Sequence, residues 1–201
     1  MGLTTVQRDC AACDSEAFDT INHSILFQKL LQLPLPSNIL LWIFSFLTDR
    51  MQAVSSLGQT STWLPVIQSI IQGSGIGQCL YLIYASDLRT LLPQNVIIKY
   101  ADDTTLLVAQ HSSVDIDQKY DNVYSWSTQN KLSINTDNTK DTIFHRPAAR
   151  NLIIPLRLPG IERVKQATLL GVDLTETLST AAYVNRLLMQ VNQHLYLLSL
   201  L

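Results

Sequence analysis

Apolar positions along this chain change period several times, and each change marks an element. In 21–33 the apolar residues Ile21, Ile25, Leu26, Leu30 and Leu33 recur at helical spacing. Asn22 or Ser24 can cap that helix. Pro34 and Pro36 end it, and 37–47 reads as a second, mostly buried helix. Polar and apolar residues then alternate through 51–66 around Gly58, the pattern of a β-hairpin or a long loop. A glycine-rich stretch, QGSGIG at 72–77, precedes a buried helix predicted over 78–92 and broken by Pro93 and Asn95. Residues 96–100 and 104–108 are β-branched and apolar, which predicts strand, tight turn, strand. Ile116, Tyr120, Val123 and Tyr124 share one face of a helix ending near Lys131. Short apolar stretches at 142–144, 152–158 and 167–174 follow, then a last helix over 181–201. Helices and strands mix without strict alternation, so the expected fold class is α+β, a sheet packed on helices.

Composition narrows the class of protein. With 201 residues, 47% of them apolar, the chain can form one domain around a packed core. Lys and Arg total 14 against 16 Asp and Glu, a net charge of −2, so a protein that lives by gripping nucleic acid alone is disfavoured. No apolar run approaches the roughly 18 residues of a membrane span, and the N-terminus has no apolar signal core. An intracellular, soluble protein is therefore expected. The three cysteines, Cys10, Cys13 and Cys79, are too few and odd in number for a disulfide scaffold. Cys10 and Cys13 form a CxxC that lacks a second ligand pair for zinc and the strand-helix context of a redox pair.

The candidate chemistry lies in KYADDTTLL, residues 99–107, where Asp102 and Asp103 interrupt two apolar strands. An ordinary hydrated turn is one reading, because Asp is a common turn residue. The other is a divalent cation, since adjacent carboxylates repel unless a cation intervenes. Oxygen-only ligands suit Mg²⁺ or Mn²⁺ rather than zinc. Two such ions about 4 Å apart can activate a hydroxyl and stabilise a leaving phosphate oxygen, but they need at least one further carboxylate.

Several segments around YADD change the balance between these readings. AFDTINHSILFQKL (17–30), QGSGIG, KLSIN (131–135), IFHRP (143–147) and LLGV (169–172) stand around it in order. Together they resemble the reverse transcriptase of non-LTR, LINE-type retrotransposons, from about Ser15 to the C-terminus. The resemblance implies a right-hand polymerase palm, an antiparallel sheet backed by helices. It divides the chain into a divergent N-terminal segment (1–14), the palm (15–175) and the start of a thumb helix (176–201), with the fingers missing. It implies RNA-directed DNA polymerase activity through Mg²⁺ or Mn²⁺, with an RNA template, a DNA primer and a deoxynucleoside triphosphate as partners. Asp102 and Asp103 correspond to the metal-binding catalytic carboxylates, and Tyr100 to an aromatic near the primer end. Phe18 corresponds to the steric gate against a ribose 2′-hydroxyl. Gln72, Gly73 and Ser74 correspond to the loop beneath the templating base and the nucleotide, where glycine lets backbone approach closely. Phe18 as plain core and the glycines as loop shapers are the competing structural readings.

The chain also departs from the family pattern. The first motif opens with an aspartate five positions before its phenylalanine, and that position holds Cys13, a soft and mostly neutral thiol. Asp14 is the neighbouring candidate, but on a strand it faces the other way unless a bulge re-aims it. Asp19 matches the trailing aspartate, which is not the usual ligand. The preceding segment 6–12 carries Arg8 and Asp9 where an apolar strand is expected. A lysine expected three residues after Asn135, the candidate general acid, is replaced by Asn138, which leaves Lys140 as a displaced substitute. Gln78 stands where the family has proline. The resulting expectation is a palm that no longer catalyses nucleotide addition. The alternatives are an active polymerase and a non-catalytic protein that reuses the palm fold to bind a partner.

Overall fold

The computed structural model describes residues 18–71, 73–109, 115–147 and 154–200, together with the backbone of 3–9. In chain order the elements are β1 (Leu3–Asp9), α1 (His23–Leu31), α2 (Ser37–Leu47), β2 (Met51–Gln52), β3 (Ser55–Ser56), β4 (Gln59–Thr60), β5 (Leu64–Pro65), α3 (Gly77–Tyr84), β6 (Val96–Tyr100), β7 (Asp103–Ala109), α4 (Ile116–Gln129), β8 (Lys140–Phe144), β9 (Glu162–Arg163), β10 (Gln166–Leu169), β11 (Val172–Thr175) and α5 (Ala181–Leu198).

The main sheet has the order β6-β7-β1-β8-β9. It is antiparallel except for the short β8–β9 pair, which is parallel and so modifies the expected all-antiparallel palm. The segment 3–9, whose sequence is not that of a buried strand, supplies the central strand, and pairing with both β7 and β8 outweighs its weak local pattern. Thr104, Thr105, Leu106 and Val108 of β7 are buried, as expected of a strand covered on both faces. At the sheet edge, β6 alternates instead, exposing Val96, Ile98 and Tyr100.

The described core has two apolar clusters, one among the helices and one built on β7. Leu26 and Leu30 of α1 are fully buried with Ile43 and Leu47 of α2, and with Leu80, Tyr81 and Tyr84 of α3. Asn22 caps α1 by accepting a hydrogen bond from the Ile25 amide at 3.2 Å. The second cluster joins Leu106 and Val108 of β7 to Ile116 of α4 and to Leu158 and Ile161. Helix α4 reaches both clusters, with Trp126 packed on the first and Tyr120 on the second.

Some sequence expectations change here. The 37–47 helix forms, but Ile39, Leu41 and Trp42 are exposed, so it is half-buried. The helix expected over 78–92 spans Gly77–Tyr84 instead, and lysines from other elements satisfy carbonyls at and beyond its end. Lys29 donates to the Tyr84 carbonyl and to the Asp87 carboxylate (2.7 Å), and Lys99 donates to the carbonyls of Ala85 and Leu88. Residues 51–66 form a hairpin, β2 with β5 and β3 with β4, turning at Leu57 and Gly58. LLGV becomes the turn of the β10–β11 hairpin, with Leu170 and Gly171 both at positive φ. The described part of the 152–158 stretch forms no strand. Its Pro155 and Leu156 carbonyls accept hydrogen bonds from Arg163 (2.8 and 2.9 Å). The final helix forms as α5 but buries none of its residues. Arg186 ties it to the hairpin through Asp173 (2.6 Å) and the Gly171 carbonyl.

The most buried ion pair holds the far side of the sheet. Asp141 of β8 is 1% exposed and meets Arg163 of β9 at 2.6 Å. Replacing one partner strands a buried charge. Arg163→Met should therefore lower unfolding free energy by about 3–5 kcal/mol in a urea titration. The double replacement Asp141→Leu with Arg163→Met should recover most of that loss.

Candidate active site

The β6–β7 hairpin presents the two aspartates. Tyr100 pairs with Asp103 at the end of the ladder, leaving Ala101 and Asp102 as a two-residue turn. Ala101 lies at φ 50°, a left-handed conformation that a Cβ disfavours by roughly 1–2 kcal/mol. Strain of this kind persists where surrounding structure overdetermines it, and here ladders on both edges of β7 do so. Across β7, the other neighbour of Asp103 in the register is Asp9 of β1. Asp103 also has an interaction within the fold.

Asp102 is half-buried and lines a cavity of about 480 Å³. The rest of its lining comes from Phe18 and from one continuous stretch that runs from the loop with Ile71, Gly73, Ser74 and Gly75 into the start of α3 with Gly77 and Gln78, so with Asp102 three distant parts of the chain meet there. Gly73 sits at φ 76°, which only glycine adopts without strain. At Gly77 a Cβ would lie 2.8 Å from Ser74 Oγ and 3.0 Å from the Ile71 carbonyl oxygen. The start of α3 is therefore seated directly on the loop. Ser74 Oγ donates to that same carbonyl at 2.7 Å and closes the turn.

Phe18 serves two purposes. Its ring packs on Tyr81, 4.9 Å between centroids, and on the first apolar cluster, while its exposed part lines the cavity. The core and gate readings of this residue are thus compatible. A second cavity of about 280 Å³ adjoins, lined by Phe18, Gln78, Tyr81, Leu82, Lys99, Tyr100 and Ala101. Asp19 lies apart, in a third cavity of about 400 Å³ with Arg50, Met51 and Ser69. Lys140 is engaged with Glu162 at 2.7 Å and with the Asp137 carbonyl, on β8, two strands from β7. Cys13, Asp14 and Gln72 lie outside the described residues. Among the residues that line this site, sequence reasoning did not single out Ile71, Gly75 or Gly77. Gln78 carried a signal only as a departure from the family's proline.

Hard carboxylate oxygens suit a divalent cation at this turn. Among the described residues no three of His, Cys, Asp and Glu come together, and the described carboxylates at this turn are the two of Asp102 and Asp103. That number still fits Mg²⁺, which commonly takes one or two carboxylates and completes its shell with water and substrate phosphate.

Burial pushes the Asp102 carboxyl above its ordinary range; a hydrogen bond from its own backbone opposes this, and the charge of Asp103 adds to it. A raised carboxyl favours the fold in acid, and this contribution is lost as pH rises past the usual carboxylate range. In metal-free buffer at neutral pH, Asp102→Asn should therefore melt slightly higher than the parent chain. The difference should shrink as the pH falls and vanish well below about pH 4, where the carboxyl is protonated in both folded and unfolded states. Millimolar Mg²⁺ should stabilise the parent and leave Asp102→Asn unmoved, both read by thermal denaturation.

Comparison with known proteins follows the same segments. Residues 12–174 match the family model described as reverse transcriptase (RNA-dependent DNA polymerase). The chain is 31% identical over 140 residues to the RNA-directed DNA polymerase from mobile element jockey of Drosophila melanogaster, covering 64% of this chain and 15% of that protein. It is 26% identical over 196 residues to the probable RNA-directed DNA polymerase from transposon X-element of the same species, covering 92% of this chain and 22% of that protein. The chain thus spans less than a quarter of either relative. Among solved structures, telomerase from Candida albicans, in complex with a TWJ fragment of telomeric RNA, superposes with a TM-score of 0.54 at 12% identity. That match covers 89% of this chain and 30% of the telomerase chain, and it supports a polymerase palm-like fold of mixed helices and sheet. With the family model matched over most of its length and both relatives drawn from such elements, this chain belongs to the reverse transcriptase family, in its LINE-type, non-LTR retrotransposon branch.

Proposed function

We propose that this chain is the palm of a LINE-type RNA-directed DNA polymerase, with α5 as the start of its thumb, and that it binds Mg²⁺ and a deoxynucleoside triphosphate but does not add nucleotides. One observation carries the nucleotide-binding part. Phe18, the glycines and serine of the 73–77 loop and Asp102 belong to three separate sequence motifs, yet they line a single cavity whose size suits a nucleotide. In this reading Asp102 and Asp103 hold the cation, which when bound supplies Lewis-acid stabilisation to the triphosphate. Phe18 closes the sugar side, and Tyr100, 65% exposed beside the second cavity, meets the end of a DNA primer paired to an RNA template. Lys140 is a general acid only if it leaves Glu162. Loss of catalysis follows from Cys13, a thiol at the motif position of the first carboxylate.

A second reading, in which catalysis survives, draws on the β1–β7 register. Asp9 is the residue opposite Asp103, so an aspartate occupies the strand position beside the pair even though the motif spacing assigns that role to Cys13. Primer extension on an RNA template, with Mg²⁺ and with Mn²⁺, separates the two. The first reading expects no extension by the parent chain and a gain of about 100-fold or more over background in Cys13→Asp. The second expects extension by the parent, its loss in Asp9→Asn, and little change in Cys13→Asp.

A further inference from the structure

The two cavities beside the hairpin share two lining residues, Phe18 and Gln78. Phe18 contributes a ring and no polar group. Gln78 is therefore the polar member of the common wall. Its side chain is exposed and has no hydrogen-bond partner among the described residues. Its place is nonetheless fixed, because Gly77 seats the first turn of α3 on the Ser74–Ile71 loop with no room for a Cβ.

A carboxamide on a fixed arm offers donors and an acceptor without charge. The charged end of the larger cavity is at Asp102, which would engage a triphosphate through a cation. A neutral donor-acceptor on the same lining, at the wall shared with the second cavity, matches the uncharged parts of a nucleotide, its sugar hydroxyl and base edge. We propose that Gln78 is a positioning residue that hydrogen-bonds the sugar or base of a deoxynucleoside triphosphate in the larger cavity, at the wall shared with the second cavity. In the family pattern this position is a proline, which offers no side-chain donor. The proposal rests on the nucleotide-site reading above and adds to it the group that reads the nucleoside rather than the phosphates.

The test compares two ligands on the full chain by phosphorus NMR titration in Mg²⁺: dATP, and inorganic triphosphate, which has neither sugar nor base. Circular dichroism checks that the exposed substitution Gln78→Ala leaves the fold intact. Gln78→Ala should weaken dATP binding about tenfold and leave triphosphate binding unchanged, the effect of losing a hydrogen bond to the nucleoside alone. Unchanged dATP affinity in Gln78→Ala would overturn the role of Gln78 while leaving the nucleotide site standing. Parallel weakening of both ligands would also overturn it, by showing a merely structural effect. Failure of the parent chain to bind either ligand would overturn the nucleotide site itself, and the role of Gln78 with it.

Discussion

Strand β7 is hydrogen-bonded along both edges, to β6 on one side and β1 on the other, and the geometry of the carboxylate pair depends on that double ladder. Asp103 is the first residue of β7 and is paired on both sides; Asp102 follows a left-handed alanine in the turn. The two ladders hold Ala101 in its left-handed conformation and fix where both aspartates leave the backbone. The site therefore draws its precision from sheet pairing, while half-burial makes the charge on Asp102 more costly.

Around this hairpin the fold uses lysines as fasteners. Lys29 from α1 takes the Tyr84 carbonyl and the Asp87 carboxylate, which also accepts from Trp126 Nε1 at 2.9 Å. Lys99 from β6 takes the carbonyls of Ala85 and Leu88. The exit of α3 is thereby joined to α1, α4 and the edge strand that leads into the aspartates. Charged side chains anchored on backbone carbonyls satisfy groups that a helix end would otherwise leave open.

Much of this was legible in the sequence, and the exceptions have physical causes. Helices α1, α2, α4 and α5 and the β6–β7 hairpin follow directly from spacing, because each buries or presents one periodic face. The YADD segment read alone fitted a hydrated turn as well as a cation site, and only the ordered segments around it pointed to the family. The central strand β1 was not legible: LTTVQRD has no clean alternation of apolar residues and is held by two neighbours distant in sequence. The early end of α3 was equally hidden, since the apolar pattern continues to Leu92 while the lysines that satisfy the carbonyls at its exit lie on other elements. The seating of Gly77 on Ser74 and Ile71 is a matter of close tertiary approach, which no periodicity reports. Gln78 was visible as a departure, but its position between two cavities was not.

Helix α5 has a mechanical consequence. Eighteen residues make a rod about 27 Å long. None of its side chains is buried, and its side-chain tie to the hairpin is Arg186, held by Asp173 and the Gly171 carbonyl. The turn that feeds it is clamped by Thr175, whose hydroxyl accepts from the Ser179 amide at 2.9 Å. The attitude of the rod is thus set near its N-terminal end by a polar joint and a short turn rather than by a packed face. Its far end therefore carries exposed leucines, Leu195, Leu197 and Leu198, well beyond Arg186, on a lever whose direction that joint alone must hold by side-chain bonds among the described residues.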